Sequence, residues 1–585
     1  MNHFNSRIIH LLFIAVFCFS NSFAQYPVKD WFAPIGGLND QTSNAIEFDG
    51  LGSFYTCGAF MGSTDFDPDS TDVNSFISAG AFDGYVTKFD TAGNFQWVHQ
   101  YGGEGDQDVL DLTIDESNNL IIGGMFQNSV DFDPSNSSDT RQSLGVKDGF
   151  VSKLDSDGEL QWVKQFTGDS IAYVRAVTTD NIGNVYVAGL FLGTTDFDPS
   201  NDIENRISTG TEGDLFICKL DPQGDFLWVN QYSGNNLETV DISLATDNNN
   251  RLYAAGGFFD TVDFNAGSGI YEFTAGYMGS DIFVLKLEGN GDFVWAKQMG
   301  GLRLDLVTDL VIDDANSIYL TGFFQGEADF DPSEDGYGLL EAQSMFERDG
   351  FVCKLNWEGD YAWAKQIKGF GFQQGSSIAV DDSSNVYIGG IFNSSADFNP
   401  HPNLGFGIGS NGFEDVFITK WDELGNFRWA TSIGSTIGDV LTGIGVDENY
   451  NVYTTGTFQD TIWGDMEAGE MLASSLGNRD AFIYKLTQED SAPVVEDTSG
   501  VSVSELDWGL SIYPNPVTDV LNINFDQEIS FVKLTVYNQL GQRIMVDKYE
   551  EVTEINTKLN GRSGFYFIEL IAENGSAIRF KIIKI

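Results

Sequence analysis

Along most of the chain, apolar and polar positions alternate over short runs that end in Gly, Asn, Asp or Ser. That is the two-residue period of half-buried strands, and no stretch shows helical spacing. The runs recur as a set. In one copy VRAVTTD ends at an aspartate and NVYVAGLF follows a polar NIGN turn. A longer segment then carries TTDFDPS, and DGFVSKLD and LQWVKQF close the unit. Trp31, Trp97, Trp162, Trp228, Trp295, Trp363 and Trp429 mark one position of the set, at spacings of 66, 65, 66, 67, 68 and 66 residues. Asp83, Asp148, Asp214, Asp281, Asp349, Asp415 and Asp480 mark another. A fixed period of this kind signals a repeat architecture. Four strands per unit and seven units predict an all-β fold, a seven-bladed β-propeller with four-stranded blades. Ordinary blades run to roughly 40–50 residues, and the surplus here falls between the second and third strands.

The ends of the array bear on closure. The strand DWFAPIGG around Trp31 precedes every other strand, and the last unit stops at AFIYKL without its tryptophan strand. The N-terminal strand is therefore expected to complete the last blade, which removes both free sheet edges. The propeller is assigned to residues 25–487. Residues 488–509 are acidic and without period, and read as a linker. Residues 510–585 alternate again around NQLGQ and ENGS turns and predict a small β-sandwich. At the other end, residues 1–24 carry Arg7, an apolar run over 11–19, and Ser22 and Ala24 just before Gln25. That is a secretory signal peptide, too short to remain as a span. No transmembrane segment is expected in the mature chain.

Charge narrows the partners. The formal net charge is −56, and almost all of it lies between residues 25 and 509. Such a field opposes nucleic acid and attracts cations. After signal removal the cysteines are Cys57, Cys218 and Cys353. Cys218 (FICKL) and Cys353 (FVCKL) occupy one position of different repeats, so they are expected apart, as buried free thiols. With only His99 and His401 remaining, a histidine zinc site or a Ser-His-Asp triad has almost no material.

Three recurring groups are candidates for chemistry. Asp49, Asp115, Asp180, Asp247, Asp313, Asp381 and Asp447 close the first strands ahead of polar turns, where a carboxylate accepts turn amides. The repeated tryptophans suit packing between blades. The DFDP-like stretches are different: Asp65 and Asp67, Asp131 and Asp133, Asp196 and Asp198, Asp263, Asp329 and Asp331, and Asp397. Residues two apart in an extended segment share a side, so paired carboxylates repel unless a cation or several amide donors sits between them. Two readings stand for these six loops, expected to crown one face: solvated, turn-capping acidic loops, or sites for a cation, calcium being the ion that suits an all-oxygen shell. Catalysis requires a break in the repeat. Four residues before the terminal aspartates stand Ala45, Asp111, Ala176, Ser243, Asp309, Ser377 and Gly443, with Arg175 and Arg303 as isolated bases nearby. Only Asp111 and Asp309 form a carboxylate pair. A non-enzymatic binding or adhesion scaffold, monomeric, with an extracellular glycan or protein ligand, is the expectation; an extracellular hydrolase or polysaccharide lyase is the alternative.

Two resemblances follow from these motifs. DGFVSKLDSDGELQWVKQF, AVTTDNIGNVYVAGLF and TTDFDPS together resemble the SBBP-type β-propeller repeat of secreted bacterial proteins, over residues 31–486. That family has no single activity, so the resemblance implies fold only. YPNP at 513–516, YNQLGQ, GFYFIEL and the lysine-bearing C-terminus resemble the type A C-terminal sorting domain of type IX secretion. This implies export by the type IX machinery, removal of the domain, and a place outside a Gram-negative cell, either released or at the outer surface.

Overall fold

The computed structural model describes residues 25–490 and 510–584, except 70–72, 136, 201, 210, 212, 235–241, 278, 334–335, 402–404, 465–469, 514–519, 539–542, 559–563 and 573–576. The expected signal peptide and most of the expected linker lie outside the described residues. Two compact units emerge, one of them spanning Gln25–Glu489.

That unit is a seven-bladed β-propeller. Each blade is an antiparallel sheet ordered one to four from the axis outward, as in Ile171–Thr179, Val185–Leu192, Asp214–Leu220 and Phe226–Tyr232 of blade 3. The first strands of successive blades contact one another around a closed ring. Second and third strands are buried along nearly their whole length. They sit between neighbouring sheets on both faces, which explains apolar runs without alternation there. The first strands carry a bulge in blades 2, 3, 5, 6 and 7, for example between Val174 and Ala176.

Closure is as expected. In blade 7 the sheet order runs Val440–Val446, Val452–Phe458, Asp480–Asp490 and then Gln25–Gly37. Ala33 and Ile35 of the N-terminal strand are buried in the last junction.

The segment between the second and third strands is not a loop crowning one face. It is a hairpin, such as Thr194–Asp196 with Asn205–Ile207. In five of seven cases among the described residues its first strand pairs with the outer strand of the preceding blade, as Gly300 with Asp329 and Gly301 with Ala328. Five sheets thereby reach six strands. The anchor is the phenylalanine of the motif. Phe66, Phe132, Phe197, Phe264, Phe330 and Phe398 are all at most 1% exposed. Phe132 packs, tilted or edge-on, between Tyr101 of blade 1 and Phe126 and Phe150 of blade 2, so burying this ring lays the hairpin along the blade flank.

The C-terminal unit is one five-stranded antiparallel sheet built on the long strand Val520–Asn538. That strand pairs with Leu510–Tyr513 near its start, with Gly564–Ala572 near its end, and with Arg543–Lys558 along both. A register shift between Asn524 and Ile529 separates the two halves, whose apolar faces share one core of Leu521, Ile523, Leu534, Val536, Ile568 and Leu570.

Candidate functional site

The turn aspartates do what their position requires. Asp180 Oδ1 accepts the amides of Ile182 and Asn184 at 3.2 and 2.9 Å, and Asp49, Asp115, Asp247, Asp381 and Asp447 repeat the pattern. Their second oxygens enter a junction between blades. Lys219 lies 3.1 Å from Asp180, over the Tyr186 ring at 4.4 Å, and donates to Gly289 O of blade 4. Lys88, Lys286 and Lys485 likewise donate to carbonyls of the following blade. Trp162, Trp228 and Trp363 donate indole N–H groups to the equivalent turns of the blades that follow them. The glycine of each such turn, in the left-handed region, leaves room for the neighbouring indole: a Cβ on Gly224 or Gly291 would meet Trp162 or Trp228 at about 3 Å. The tryptophans are thus packing residues, and the lysine five residues after each third-strand aspartate is their partner.

The DFDP carboxylates are committed to their own hairpins. Asp196 Oδ1 accepts the amides of Asp198 and Glu204 at 3.1 and 2.8 Å, and Asp198 accepts that of Ser200. Asp65, Asp131, Asp263, Asp329 and Asp397 take the same two positions of their loops. Asp67 accepts from Asp69 and Asn74, Asp133 from Ser135, and Asp331 from Ser333 and Tyr337. The two aspartates of a motif are joined through a backbone N–H, the amide-donor solution to their repulsion. Among the described residues no group of three or more His, Cys, Asp or Glu side chains is placed to hold a metal ion.

The central channel holds the other carboxylates. Asp309 Oδ2 accepts from Ser377 Oγ at 2.9 Å and the Ile378 amide at 3.0 Å of blade 6, and Oδ1 from Ser243 Oγ of blade 4 at 2.8 Å. Asp111 accepts the Val177 amide of blade 3 at 2.8 Å. The expected pair therefore ties blades together. Glu47, on the first strand of blade 1, joins them electrostatically. Burial, then the field of Asp309, raises its pKa to about 7. Burial raises Asp111 to about 8 against its amide donors, with Asp309 and Glu47 adding to the rise. Asp108, held by Asn44, rises to about 7 through burial. Carboxyl groups shifted this far mark candidate proton-handling sites. Glu47 stands two residues before its turn aspartate, Asp49, whereas Asp111 and Asp309 stand four before theirs, so position in the repeat does not group the three.

The three thiols are buried and free, and burial raises each pKa. His99 stacks on Trp97 at 4.4 Å, and burial lowers its pKa to about 4.

These features define a propeller joined to a small all-β C-terminal unit. Residues 511–584 match the secretion system C-terminal sorting domain. The chain is thus a secreted or outer-surface protein of a Gram-negative bacterium, exported by type IX secretion. An uncharacterized WD repeat-containing protein of Acanthamoeba polyphaga mimivirus is 22% identical over 77% of this chain and 38% of its own. The regulatory protein FlaEY of Caulobacter vibrioides is 27% identical over 28% of this chain and 17% of its own. The chain thus spans well under half the length of both relatives. A solved polysaccharide lyase, an ulvan lyase, aligns at TM-score 0.34 and 10% identity over 74% of this chain and 93% of its own.

Proposed function

We propose that the propeller is a non-enzymatic binding or adhesion disc, built on SBBP-type repeats and delivered outside the cell by the sorting domain. The observation that carries this reading is the engagement of Asp111 and Asp309. The pair a catalytic centre would draw on is held by four blade-to-blade hydrogen bonds. A general acid or base needs a carboxyl group able to reach substrate, and these two serve the ring. Glycan and protein arrays probed with the full chain, with and without calcium, test the reading. Reproducible binding to at least one ligand class without turnover supports it; release of product from an arrayed ligand overturns it.

The second reading is an extracellular hydrolase or lyase. Glu47 favours it, since a carboxyl group with a pKa near 7 in a channel suits proton transfer. Polysaccharide-degrading activity abolished in Glu47→Gln, with the fold intact, would establish it in place of the disc.

A further inference from the structure

Eight residues before the turn aspartates, where the first strands open, stand Gln41, Gln107, Ala172, Asp305, Gln373 and Asp439 among the described residues. The backbone N–H at this position donates to the carbonyl just before the third-strand aspartate of the preceding blade: Gln41 to Arg479 O, Gln107 to Phe82 O, Ala172 to Lys147 O, Asp305 to Ser280 O and Asp439 to Glu414 O. The position therefore lies beside that aspartate at these junctions. Glutamine keeps it neutral in three blades. Blades 5 and 7 bring a second carboxyl group instead, Asp305 beside Asp281 and Asp439 beside Asp415.

At the junction of blades 6 and 7 both carboxyl groups are fully buried. Asp415 Oδ2 accepts the Asn411 amide at 2.8 Å, while Oδ1 lies in the interior without a hydrogen-bond partner among the described residues. Asp83, Asp349 and Asp480 have the same bare oxygen, but beside a glutamine that carries no charge. Asp439 Oδ2 accepts the Ser435 amide at 2.6 Å, and Oδ1 accepts the Ser435 hydroxyl at 3.1 Å and the Gln459 amide at 3.2 Å. Gly434 presses on Asp415, where a Cβ would stand 2.4 and 2.5 Å from its oxygens, so consecutive residues 434 and 435 hold the two carboxyl groups. The other charged groups facing them are Glu414, next to Asp415, and Asp460, which accepts the Thr436 hydroxyl at 3.0 Å. Among the described residues no ion pair uses any of the four. Burial raises Asp415 to about 7 against its amide donor, with Asp439 and Glu414 adding to the rise. Burial raises Asp439 to about 7 against its donors, with Asp460 adding.

Two adjacent buried carboxylates repel, and no cation here offsets them. A proton on the pair removes one charge and supplies the O–H donor that Asp415 Oδ1 lacks. The loops that meet at the pair touch each other: a Cβ on Gly412 would stand 2.5 Å from Thr436 O and 2.8 Å from Ser435 O. Each carries an exposed apolar side chain, Phe413 at 68% and Ile437 at 42%. We propose that this junction is an acid-closed clasp: one proton shared by Asp415 and Asp439 holds the loops of Phe413 and Ile437 together, and its release to water as pH rises parts them and changes the apolar surface they present. In the opened junction the carboxyl groups are solvated and titrate near pH 4. Opening should therefore become easier as pH climbs from about 4 to about 7 and level off above that.

The test is hydrogen exchange in the full chain between about pH 5 and about pH 8, with rates corrected for intrinsic exchange. Protection of the amides of residues 411, 435 and 459 should fall at least about tenfold, and that of residue 172, at a junction without a second carboxyl group, should stay within about twofold. Asp415→Asn keeps an acceptor for Asn411 and puts a permanent N–H donor on the bare side; it should hold the three amides within about twofold over the same range. Asp439→Gln, which restores the residue of three other junctions, should move the fall at residue 411 to lower pH by at least about one unit. Glu414→Gln, which leaves the pair intact, should keep the fall. Protection independent of pH, an equal fall at residue 172, or an unaltered fall in Asp415→Asn and Asp439→Gln overturns the clasp. Closure at the higher pH restored by calcium, but not by sodium at matched ionic strength, assigns the pair to a cation and overturns the shared proton.

Discussion

Substitutions at Asp196 and Phe197 separate what the repeated acidic motif contributes. Phe197 is fully buried, with ring centroids 4.6, 5.2 and 5.7 Å from Phe216, Phe191 and Phe166. Phe197→Ala removes the anchor of its hairpin and should cost about 3–5 kcal/mol, capped by the free energy of detaching the hairpin. Asp196→Ala strands the amides of Asp198 and Glu204 at a half-buried site, at a cost of about 1–2 kcal/mol. Asp196→Asn keeps an oxygen at the same place and removes one negative charge from a chain of net charge −56. Its cost should be about 0.5 kcal/mol or less, because relief of self-repulsion offsets a weaker hydrogen bond. Urea denaturation gives the order, and hydrogen exchange at the amides of residues 198 and 204 locates the effect. Asp196→Asn as damaging as Asp196→Ala would refute the argument, since charge rather than acceptor geometry would then matter. The same variants decide the proposal of calcium at these loops. A rise in Tm in calcium above that in sodium at matched ionic strength, lost when Asp196 and Asp198 are both Asn, supports the ion; equal rises remove it.

Thermal stability should fall as pH rises from about 5 to about 8. Glu47, Asp108, Asp111, Asp415 and Asp439 have folded pKa values raised to about 7 or 8, so the folded state holds protons that the unfolded chain releases near pH 4; a Tm that climbs over this range contradicts the burial argument. Ile35→Ala should cost about 2–4 kcal/mol, because its side chain is 1% exposed in the closing strand; an unchanged urea midpoint would mean that the strand is dispensable. Cys57, Cys218 and Cys353 should resist a thiol reagent in the native chain and react in denaturant, and fast native labelling counts against their burial. Material recovered outside the cell should lack residues 1–24 and the domain beginning near 510 by intact mass; finding the sorting domain still attached argues against its removal on export.

Much of this architecture was legible because each blade repeats its instructions. The tryptophan spacing gave the blade number, the spare first strand gave the closure, and the turn aspartates gave the hairpins at the inner edge. The hairpin on the preceding blade left little trace, since its pairing runs through backbone groups of Gly300 and Gly301, and glycine carries no pattern of inward and outward side chains. What could have signalled it was the phenylalanine between the two aspartates, a large apolar residue that loop chemistry does not require. The lysines of the blade junction were visible at constant spacing, yet their role depends on which carbonyl the next blade brings near.

The closing junction shows why the departures, rather than the repeat, are the place to seek function. Six junctions can be made by copying one unit, but the seventh must join the last blade to the first. Lys485 donates to Thr91 O at 3.0 Å and Tyr453 OH to the same oxygen at 3.1 Å, and Trp31 lies over Gly93 as Trp162 lies over Gly224. The lysine position therefore performs at the closing junction the task that Lys88, Lys219 and Lys286 perform between consecutive blades, although sequence order cannot supply that junction directly. A residue so engaged is not available to define a ligand at one place. Departures from the rule are free of that task, and Lys368 is one: it stands in the outermost core strand of blade 5, where a glycine, serine or threonine serves the other blades.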